Sequence, residues 1–412
     1  MQTCLADFIR DAPEGREADA ILRRCVHCGF CLATCPTYQL LGDELDSPRG
    51  RIYLIKQVLE GAPPTAKTLA HLDRCLTCRA CETTCPSGVE YARLADIGRG
   101  LVEERVRRGA RDALFRRSLA AVLSRTALFG MLAGVARALR PVLPRHLAGK
   151  VPSRAAPPGD WPAPRHARRM IALAGCVQPV LAPDINAAAA RVLDRIGISL
   201  VQAPGAGCCG ALRYHLNQQK QGLDDMRALI DSWWPLLVGC IEAIVMTASG
   251  CGTTVKEYRH YLALDPAYAR KAARISELCR DIAEVVAAEL ERPGMLPVAS
   301  SAPAEKVAFH APCSLQHGQQ IRGVVERVLR AAGLELTPVP DAHLCCGSAG
   351  TYSILQPELS GRLRANKLAA LKSGGPRRIL SANIGCLSHL AEASEVPVEH
   401  WIEYLERRMA PT

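Results

Sequence analysis

The 412-residue sequence is poor in aromatic side chains and lacks long apolar runs. Phe, Trp and Tyr make up 4% of a chain that is 49% hydrophobic, so its cores must be mostly aliphatic. No stretch reaches the roughly 18 consecutive uncharged apolar residues that a transmembrane helix needs. The opening stretch MQTCLADFIRDAPEG has acidic residues and no apolar signal segment. We therefore expect a cytoplasmic protein, either soluble or peripheral on the cytoplasmic face of the inner membrane.

Nucleotide-binding fingerprints are also scarce. There is no Walker A sequence, and the match of Gly205, Gly207 and Gly210 to GxGxxG is weak. It lies in GAGCCG, whose counterpart later in the chain, HLCCGSAG, does not keep the glycine pattern. The sequence therefore predicts that this chain carries no flavin or NAD of its own.

Cysteine, by contrast, is abundant, with 19 residues. Secreted disulfide scaffolds are short chains, so a chain of this length indicates a reducing compartment instead. Eight of the cysteines form two CxxCxxCxxxCP runs, closed by Pro36 and Pro86. This pattern holds iron–sulfur clusters in bacterial ferredoxins, where the fourth cysteine of each run binds the cluster of the other run. The sequence predicts two [4Fe-4S] clusters, the first held by Cys25, Cys28, Cys31 and Cys85 and the second by Cys75, Cys78, Cys81 and Cys35.

Structural zinc is the alternative metal for such cysteine pairs, because CxxC motifs also close tetrahedral zinc sites. A zinc site needs only four ligands, whereas here two matching runs supply eight cysteines and each run ends in proline. The pattern therefore favours two iron–sulfur clusters over zinc.

Positive charge is concentrated in one segment. The chain has a formal net charge of +11, and residues 92–170 contain 17 Lys and Arg against five Asp and Glu. Basic and apolar residues alternate over 102–144 at roughly helical spacing, which predicts a basic amphipathic helix. Three interpretations stay open: a solvated face of a helical connector, a docking surface for a partner subunit, or contact with an anionic membrane surface. Nucleic acid is disfavoured as a partner, since no recognition motif accompanies the basic residues.

The chain divides into four predicted parts. Residues 1–100 form a mostly helical, two-cluster ferredoxin-like domain, and residues 101–168 form the basic connector, which ends in a linker rich in Pro, Ala and Arg. Beyond it, apolar strand candidates alternate with helical patterns, including one long helix predicted over 211–230. Such alternation is typical of α/β units with a parallel sheet. The predicted fold class is therefore α+β followed by duplicated α/β, with domains at 169–295 and 296–412.

The two C-terminal parts repeat one cysteine pattern. In the first copy 31 residues separate Cys176 from an adjacent cysteine pair followed by glycine, and the same number separates Cys313 from its pair in the second copy. A later cysteine in a Gly-Cys element completes each copy. Open α/β sheets place their ligand sites at the carboxyl ends of the strands, so we expect the four thiols of each copy to converge there as a metal or redox site. These possible additional metal sites are Cys176, Cys208, Cys209 and Cys251 in the first copy and Cys313, Cys345, Cys346 and Cys386 in the second.

Ordinary burial is the alternative explanation for a cysteine, because its thiol behaves as a small hydrophobic group. We expect simple burial for Cys4, Cys240 and Cys279, which stand outside the repeat. Burial does not explain why the spacing, the Cys-Cys-Gly element and the final Gly-Cys recur.

Three histidines, His310, His317 and His343, lie near the cysteines of the second copy. They could act as ligands, proton relays or donors to ligands. A plain structural role is favoured for each, because the first copy has no histidine at the matching positions.

These motifs resemble the cysteine-rich CCG-domain family, which includes heterodisulfide reductase catalytic subunits and iron–sulfur subunits of several flavin-dependent dehydrogenases. The resemblance covers the second half of the chain as a duplicated domain. In heterodisulfide reductase each copy ends in a CxxC, whose first cysteine is replaced here by Ala248 and Asn383. This departure disfavours noncubane clusters and disulfide reduction.

The order of the parts narrows the resemblance. A ferredoxin domain followed by two CCG copies is found in subunits for glycolate, anaerobic glycerol-3-phosphate and L-lactate oxidation. The stretch from QTCLADFIRD to LIKQVLEG is similar to the iron–sulfur subunits of bacterial glycolate oxidase, also called glycolate dehydrogenase. Membership of that family implies that separate flavin-binding subunits oxidise glycolate to glyoxylate. It also implies that this chain has no catalytic residue and passes their electrons to a quinone or another acceptor.

Other functions stand beside this one. The chain could serve a glycerol-3-phosphate or lactate dehydrogenase instead. It could also be a thiol–disulfide enzyme, with Cys208 and Cys209 or Cys345 and Cys346 as its reactive pair, if those thiolates are accessible and of low pKa. A third alternative is an assembly subunit whose CCG half only docks the flavoproteins.

Overall fold

The computed structural model describes residues 1–142, 157–292 and 304–409. These residues form a helical N-terminal domain, a helical connector and two α/β domains of the same topology, which confirms the predicted fold class. The predicted boundary between residues 295 and 296 and the linker residues 150–156 lie outside the described residues. The exact domain limits therefore stay a prediction.

The N-terminal domain packs its helices around an aliphatic core that includes Ile21, Leu22 and Leu94. Pro13 and Pro48 stand at the first position of their helices, where the missing N–H is not needed for helical hydrogen bonding. The helices are α1 (Asp7–Arg10), α2 (Pro13–Arg24), α3 (Pro36–Leu41), α4 (Pro48–Leu59), α5 (Ala66–Asp73), α6 (Ala80–Thr83) and α7 (Tyr91–Arg105). Most cysteines of the two runs lie between these helices and Cys81 lies within α6, so rigid helices fix the ends of each run.

The connector consists of helices α8 (Ala110–Leu123) and α9 (Thr126–Leu139), followed by a short 3-10 turn, Arg140–Val142. The basic segment is therefore helical, as predicted, but it is divided into two helices. Among the described residues no single helix is long and apolar enough to cross a membrane. The pair Ala110–Leu123 and Thr126–Val142 reaches that length and composition only jointly, and it is bent by 104°.

Each α/β domain contains a four-stranded, fully parallel sheet. The strand orders are β2-β1-β3-β4 and β6-β5-β7-β8, so the two sheets have the same topology. The strands are β1 (Arg168–Ala172), β2 (Ile198–Gln202), β3 (Ile241–Met246), β4 (Cys279–Asp281), β5 (Lys306–His310), β6 (Glu335–Leu336), β7 (Arg378–Ser381) and β8 (Val398–His400). This shared order is what internal duplication predicts.

Helices cover both sheets. The first domain contains α10 (Gln178–Leu181), α11 (Asp184–Arg195), α12 (Ala211–His215), α13 (Gln219–Trp233), α14 (Ser249–Lys256), α15 (Tyr258–Tyr261), α16 (Ala269–Leu278) and α17 (Ile282–Leu290). The second contains α18 (Val324–Ala331), α19 (Tyr352–Leu355), α20 (Pro357–Lys372), α21 (Ile384–Ala391) and α22 (Trp401–Arg408). One apolar cluster, which includes Val245 and Leu380, runs through both domains, so the two copies share a core.

The helix predicted over 211–230 is in fact broken into α12 and α13. Asn217, between them, has a left-handed φ of 61°, which ends the first helix. The break lets Gly222 of the second helix lie against Tyr214 and Gly210. Tertiary packing thus overrides a continuous helical pattern.

Candidate functional site

The first cysteine run forms a cavity together with the end of the second run. Three thiols of its lining come from the first run and Cys85 comes from the second, in the exchange that the ferredoxin pattern implies. Cys81 of the second run, a member of the other predicted set, lines this cavity as well. The cavity is lined by the whole predicted first set, Cys25, Cys28, Cys31 and Cys85. Cys28 is exposed, and Val26 and Phe30 beside it are 67% and 64% exposed. This cavity therefore lies at the protein surface, within an apolar rim.

A second cavity repeats the arrangement with the roles of the runs reversed. It is lined by the whole predicted second set, Cys35, Cys75, Cys78 and Cys81. Arg51, Arg79 and Tyr91 complete its wall. The second cavity thus gathers three thiols from one run and one from the other, and Cys81 lines both cavities.

The two cysteine loops share an unusual backbone conformation. His27 and Thr77 occupy matching positions with φ of 58° and 52°, and Gly29 and Arg79 match with φ of 87° and 62°. A left-handed conformation costs a residue other than glycine about 1 kcal/mol or more, so surrounding contacts must hold it. At Arg79 the contact is a two-pronged ion pair with Glu257 of the first α/β domain, with N–O distances of 2.5 and 2.6 Å.

Two buried guanidinium groups lie beside the thiols of the second cavity. Arg51 donates to the carbonyl of His71 at 2.7 Å, and Arg99 donates to the carbonyl of Cys75 at 2.6 Å. Burial alone would raise the pKa of the Cys75 thiol. The charges of Arg51 and Arg99 and a hydrogen bond from Tyr91 outweigh it, so the pKa of Cys75 lies below its ordinary value.

Other thiols around the cavities have raised pKa values because they are buried. Burial raises the pKa of Cys78 and Cys81 well above the ordinary value, and that of Cys31 to about 11. Such thiols lose their protons readily only when a metal cation binds them. Four convergent cysteines are the usual ligand set of a [4Fe-4S] cluster, so the donor set of each cavity fits one.

The repeated cysteines of the first α/β domain meet at the carboxyl ends of its strands. Cys176 follows β1, Cys208 and Cys209 follow β2, and Cys251 lies in the helix after β3. Hydrogen bonds link Cys208 to both Cys176 and Cys209, and link Cys209 to Cys251. By donating to the Cys208 sulfur, Cys176 and Cys209 lower the pKa of Cys208, while their own pKa values are raised.

The second α/β domain brings its four repeated cysteines together in the same way. Cys313 Sγ lies 3.8 Å from Cys345 Sγ, and hydrogen bonds continue from Cys345 to Cys346 and from Cys346 to Cys386. His310, at the end of β5, joins them, since its ring and the thiols of Cys346 and Cys386 place ligand atoms within 4.8 Å of one another. Burial lowers the pKa of His310 to about 3, so the ring is neutral at pH 7.

Of the other two histidines, His317 makes contacts that suit the structural role favoured by the sequence. His317 Nδ1 lies 3.0 Å from Thr83 Oγ1 of the N-terminal domain, and its Nε2 lies 2.8 Å from the carbonyl of His343. Within the described part of the chain neither histidine belongs to a group that could hold a metal.

The glycine after each cysteine pair is required by the backbone. Gly210 and Gly347 have φ of 83° and 89°. A Cβ atom on Gly210 would lie 2.5 Å from the carbonyl oxygen of Gly222, and one on Gly347 would lie 2.7 Å from that of Ser360. The Cys-Cys-Gly element therefore packs its turn directly on the long helix that follows.

Ala248 and Asn383, which replace the first cysteine of the CxxC in each copy, lie between the two copies. Asn383 Oδ1 accepts a hydrogen bond from the backbone N–H of Gly250 at 3.2 Å, and its Nδ2 donates to Cys386 Sγ at 3.5 Å. Ala248 is buried in the core that the copies share. These residues thus connect the two domains where the related family has metal ligands.

The second cavity lies directly against the second α/β domain. Leu76 and Cys345 belong to one apolar cluster, and Cys78 and Cys313 pack against it. Tyr352 also donates a hydrogen bond to the carbonyl of Arg74 at 3.1 Å. Sequence reasoning missed this contact, because residues so far apart in the chain give no local signal of their proximity.

The three cysteines outside the four sets differ in their exposure to solvent. Cys279 is buried, as predicted, but the prediction of burial is wrong for Cys4 and Cys240, which are both exposed. Cys240 lies in the turn that leads into β3, and Cys4 precedes the first helix. All described cysteines are free thiols.

Two family models match this chain. A model described as a 4Fe-4S dicluster domain matches residues 21–89. A model described as a cysteine-rich domain matches residues 171–256 and again 307–391. The matches coincide with the domain that contains the two cavities and with the two α/β domains.

Curated relatives match most of the length. A glycolate oxidase iron–sulfur subunit from Escherichia coli (strain K12) is 54% identical over 410 residues, which cover 99% of both chains. A probable glycolate oxidase iron–sulfur subunit from Bacillus subtilis (strain 168) is 31% identical over 394 residues, 89% of this chain and 87% of the relative. Lactate utilization protein A from Bacillus licheniformis is 25% identical over 242 residues, 57% of this chain and 97% of the relative. The first two similarities extend over nearly the whole chain, whereas the third covers little more than half of it.

Proposed function

This chain belongs to the family of glycolate oxidase iron–sulfur subunits, and from this premise we propose that it transfers electrons within a complex that oxidises glycolate to glyoxylate. The observation that carries the proposal is the pair of cavities, each lined by one complete predicted set of four thiols drawn from both runs. A [4Fe-4S] cluster bound in such a site takes up and releases single electrons. A two-electron donor therefore needs several such sites.

The ligands proposed for the clusters are the two predicted sets. The first cavity would use Cys25, Cys28, Cys31 and Cys85, and the second would use Cys35, Cys75, Cys78 and Cys81. The protein supplies partial burial of these cysteines, of which only Cys28 is exposed, and positive charge from Arg51 and Arg99 beside the second cavity. Further iron–sulfur centres are proposed for the four-cysteine sites of the α/β domains.

Flavin-binding subunits of the same complex are the proposed electron donors. The family resemblance supports this partner, and the exposed apolar rim of Val26 and Phe30 beside the first cavity offers a surface for it. The second cavity is instead covered by the second α/β domain. We therefore place electron entry at the first cavity and onward transfer at the second, with a quinone or another acceptor as the destination.

A peripheral position on the cytoplasmic face of the inner membrane is proposed for the complex. Helices α8 and α9 expose the large apolar side chains of Phe115, Leu132 and Val135, each more than 40% exposed. The segment also exposes arginines, including Arg111 and Arg117. An apolar surface bordered by cations suits an anionic lipid interface.

A thiol–disulfide function is not favoured. Such an enzyme needs an accessible thiolate, and Cys208, the paired cysteine whose pKa is lowered, is only 7% exposed. Its partner Cys209 and the second pair, Cys345 and Cys346, are also buried. A glycerol-3-phosphate or lactate substrate is not favoured either, because the nearly full-length relatives named above are glycolate oxidase subunits.

Anaerobic reduction by glycolate tests the proposal. The chain assembled with its flavin-containing partners should show EPR signals of reduced clusters when glycolate is added, and at least about eight irons per chain. Cys78→Ala should lower glycolate-dependent acceptor reduction by about tenfold or more, since it removes a proposed ligand of the second cavity. Cys240→Ala is the matched control, because Cys240 is exposed and lies outside all four sets. Equal activity of the two variants, or no reduction of the clusters by glycolate, would overturn the proposal.

A further inference from the structure

The two α/β domains differ in one residue that faces the repeated cysteines. His310 ends β5 three residues before Cys313, and the residue three before Cys176 in the first copy is Leu173. The His310 ring and the thiols of Cys346 and Cys386 place ligand atoms within 4.8 Å of one another. All three residues are buried. The second copy therefore has an imidazole among its thiols, whereas the first has an aliphatic side chain.

A second difference accompanies the first. Ser381, the partner of His310 across strands β5 and β7, places its Oγ 3.0 Å from His310 Nδ1. The residue of the first copy that corresponds to Ser381 is Met246, which cannot accept such a hydrogen bond from an N–H well. Histidines that bind a metal through one ring nitrogen almost always give the other N–H to an acceptor. The Oγ of Ser381 accepts such a hydrogen bond when Nδ1 carries the proton, and Nε2 is then the nitrogen available to a metal.

The cysteine site of the second copy also lies next to the second cavity. Cys313 and Cys345 share an apolar cluster with Leu76 and Cys78 of the second cavity. The imidazole thus occurs in the copy whose thiols pack against the second cavity.

We propose that the second α/β domain binds an iron–sulfur cluster with four protein ligands, in which His310 takes the place of one cysteine: His310, Cys346, Cys386 and one thiol of the pair Cys313 and Cys345. Mixed thiolate and imidazole ligation of iron–sulfur clusters is chemically established, and replacing cysteine by histidine raises the reduction potential. A raised potential makes this copy an electron acceptor for the cavity beside it. The inference rests on the proposed iron–sulfur role of this chain, and it assigns different electronic properties to the two copies.

Nitrogen hyperfine spectroscopy on the full-length protein tests the ligand directly. The chain is produced with ¹⁵N-labelled histidine and ⁵⁷Fe, purified anaerobically and poised at a series of potentials. One reduced cluster should show the strong ¹⁵N coupling of a directly bound imidazole. His310→Leu, which copies the first domain, should abolish that coupling. His310→Cys should also abolish it while the cluster is retained, and it should shift the potential of that cluster downward.

The matched control is His317→Gln. His317 lies in the same domain, is similarly buried and is bonded to Thr83 and His343 rather than to the thiols, so the coupling should survive. Absence of any strong histidine coupling, its survival in His310→Leu, or zinc or no metal at this site would overturn the inference. Glycolate-dependent reduction of the N-terminal clusters is measured after the same preparations are assembled with their flavin-containing partners. If that reduction persists without the coupling, only the ligand assignment fails, whereas its loss in the wild-type complex contradicts the proposed function.

Discussion

At the scale of single residues, the environment of the second cavity depends on Arg51, a charged side chain that is 1% exposed. Its guanidinium lines the cavity and contacts Asp46 at 3.2 Å. A buried cation stabilises the reduced form of a cluster, which carries one more negative charge. Arg49, near the first cavity, is more exposed and paired with Glu44, so its charge is better screened. The two cavities therefore differ in electrostatics although their thiols match.

We predict that Arg51→Met lowers the reduction potential of the second cluster by roughly 50–100 mV, because losing about 1–2 kcal/mol of electrostatic stabilisation corresponds to that shift for one electron. Redox titration followed by EPR measures it. Arg51→Lys keeps the charge and should shift the potential less, which separates the charge from loss of packing. Arg49→Met is the control at the other cavity. An unchanged potential in Arg51→Met would contradict the assigned role.

Gly347 supports the second cysteine pair through backbone geometry. We predict that Gly347→Ala destabilises the folded protein by about 2–4 kcal/mol, because alanine is strained at this φ and its Cβ would clash with Ser360. Gly350→Ala is the matched control, since Gly350 also has a positive φ, of 64°, but no atom within 4 Å of its added Cβ. It should cost only about 1 kcal/mol. Urea unfolding midpoints of the two variants measure the difference, and equal midpoints would refute the close approach.

At the scale of elements, helix α17 begins with a buried carboxyl group. Asp281 caps it by accepting a hydrogen bond from the N–H of Ala283 at 3.0 Å, and Gln319 of the second copy donates to it at 3.3 Å. Burial raises the pKa of Asp281 to about 7. Between about pH 4 and pH 7 the Asp281 carboxyl is therefore protonated in the folded state but ionised in the unfolded state. Folding stability from this group is full below that window and is lost as the pH rises through 7.

Asp281→Asn should remove this pH dependence, because the amide mimics the protonated acid and can still cap the helix. We predict that the variant gains roughly 2–4 kcal/mol relative to wild type at pH 8 and little at pH 4. Unfolding midpoints at the two pH values measure the difference. Asp7→Asn, at a side chain that is 92% exposed, is the control. A loss of stability of equal size at both pH values would show that only the cap matters.

At the scale of the whole molecule, the sites follow an order from the surface to the interior. The first cavity has exposed apolar neighbours, the second is covered by the second α/β domain, and the first α/β domain holds the loop of the second run through Arg79 and Glu257. The connector helices expose a further apolar and basic surface. The molecule thus has separate surfaces for a proposed electron donor and a proposed membrane.

We predict that the full-length protein co-sediments with vesicles that contain anionic lipid and much less with zwitterionic vesicles. Val135→Asp, on the exposed face of α9, should reduce that binding by about fivefold or more, because it removes apolar contact and adds negative charge. Leu264→Asp is the matched control, at an exposed leucine elsewhere in the molecule. Equal binding of both variants would contradict the membrane contact. The basic segment would then be a solvated connector or a docking surface for a partner subunit.

Much of the site was predictable because its chemistry is local in the chain. The CxxCxxCxxxCP spacing places three thiols on one short loop, so the cavities follow from the sequence alone. The repeated spacing around Cys208 and Cys345 likewise predicts convergence at the strand ends. The role of His310 did not follow, because its significance depends on strand β7 placing Ser381 beside it and on the fold bringing Cys386 near.

By itself, the sequence determined the kind of chemistry and the duplication, and it predicts the two cluster sets, because those depend on the spacing of identical residues along the chain. Only the tertiary structure decided which copy packs against the second cavity, since Cys78 and Cys313 meet through contacts between domains. It also decided that the long helix of the first copy breaks at Asn217 and that Cys4 and Cys240 are exposed. Burial and proximity are sums over many distant contacts, and no local pattern of residues encodes them.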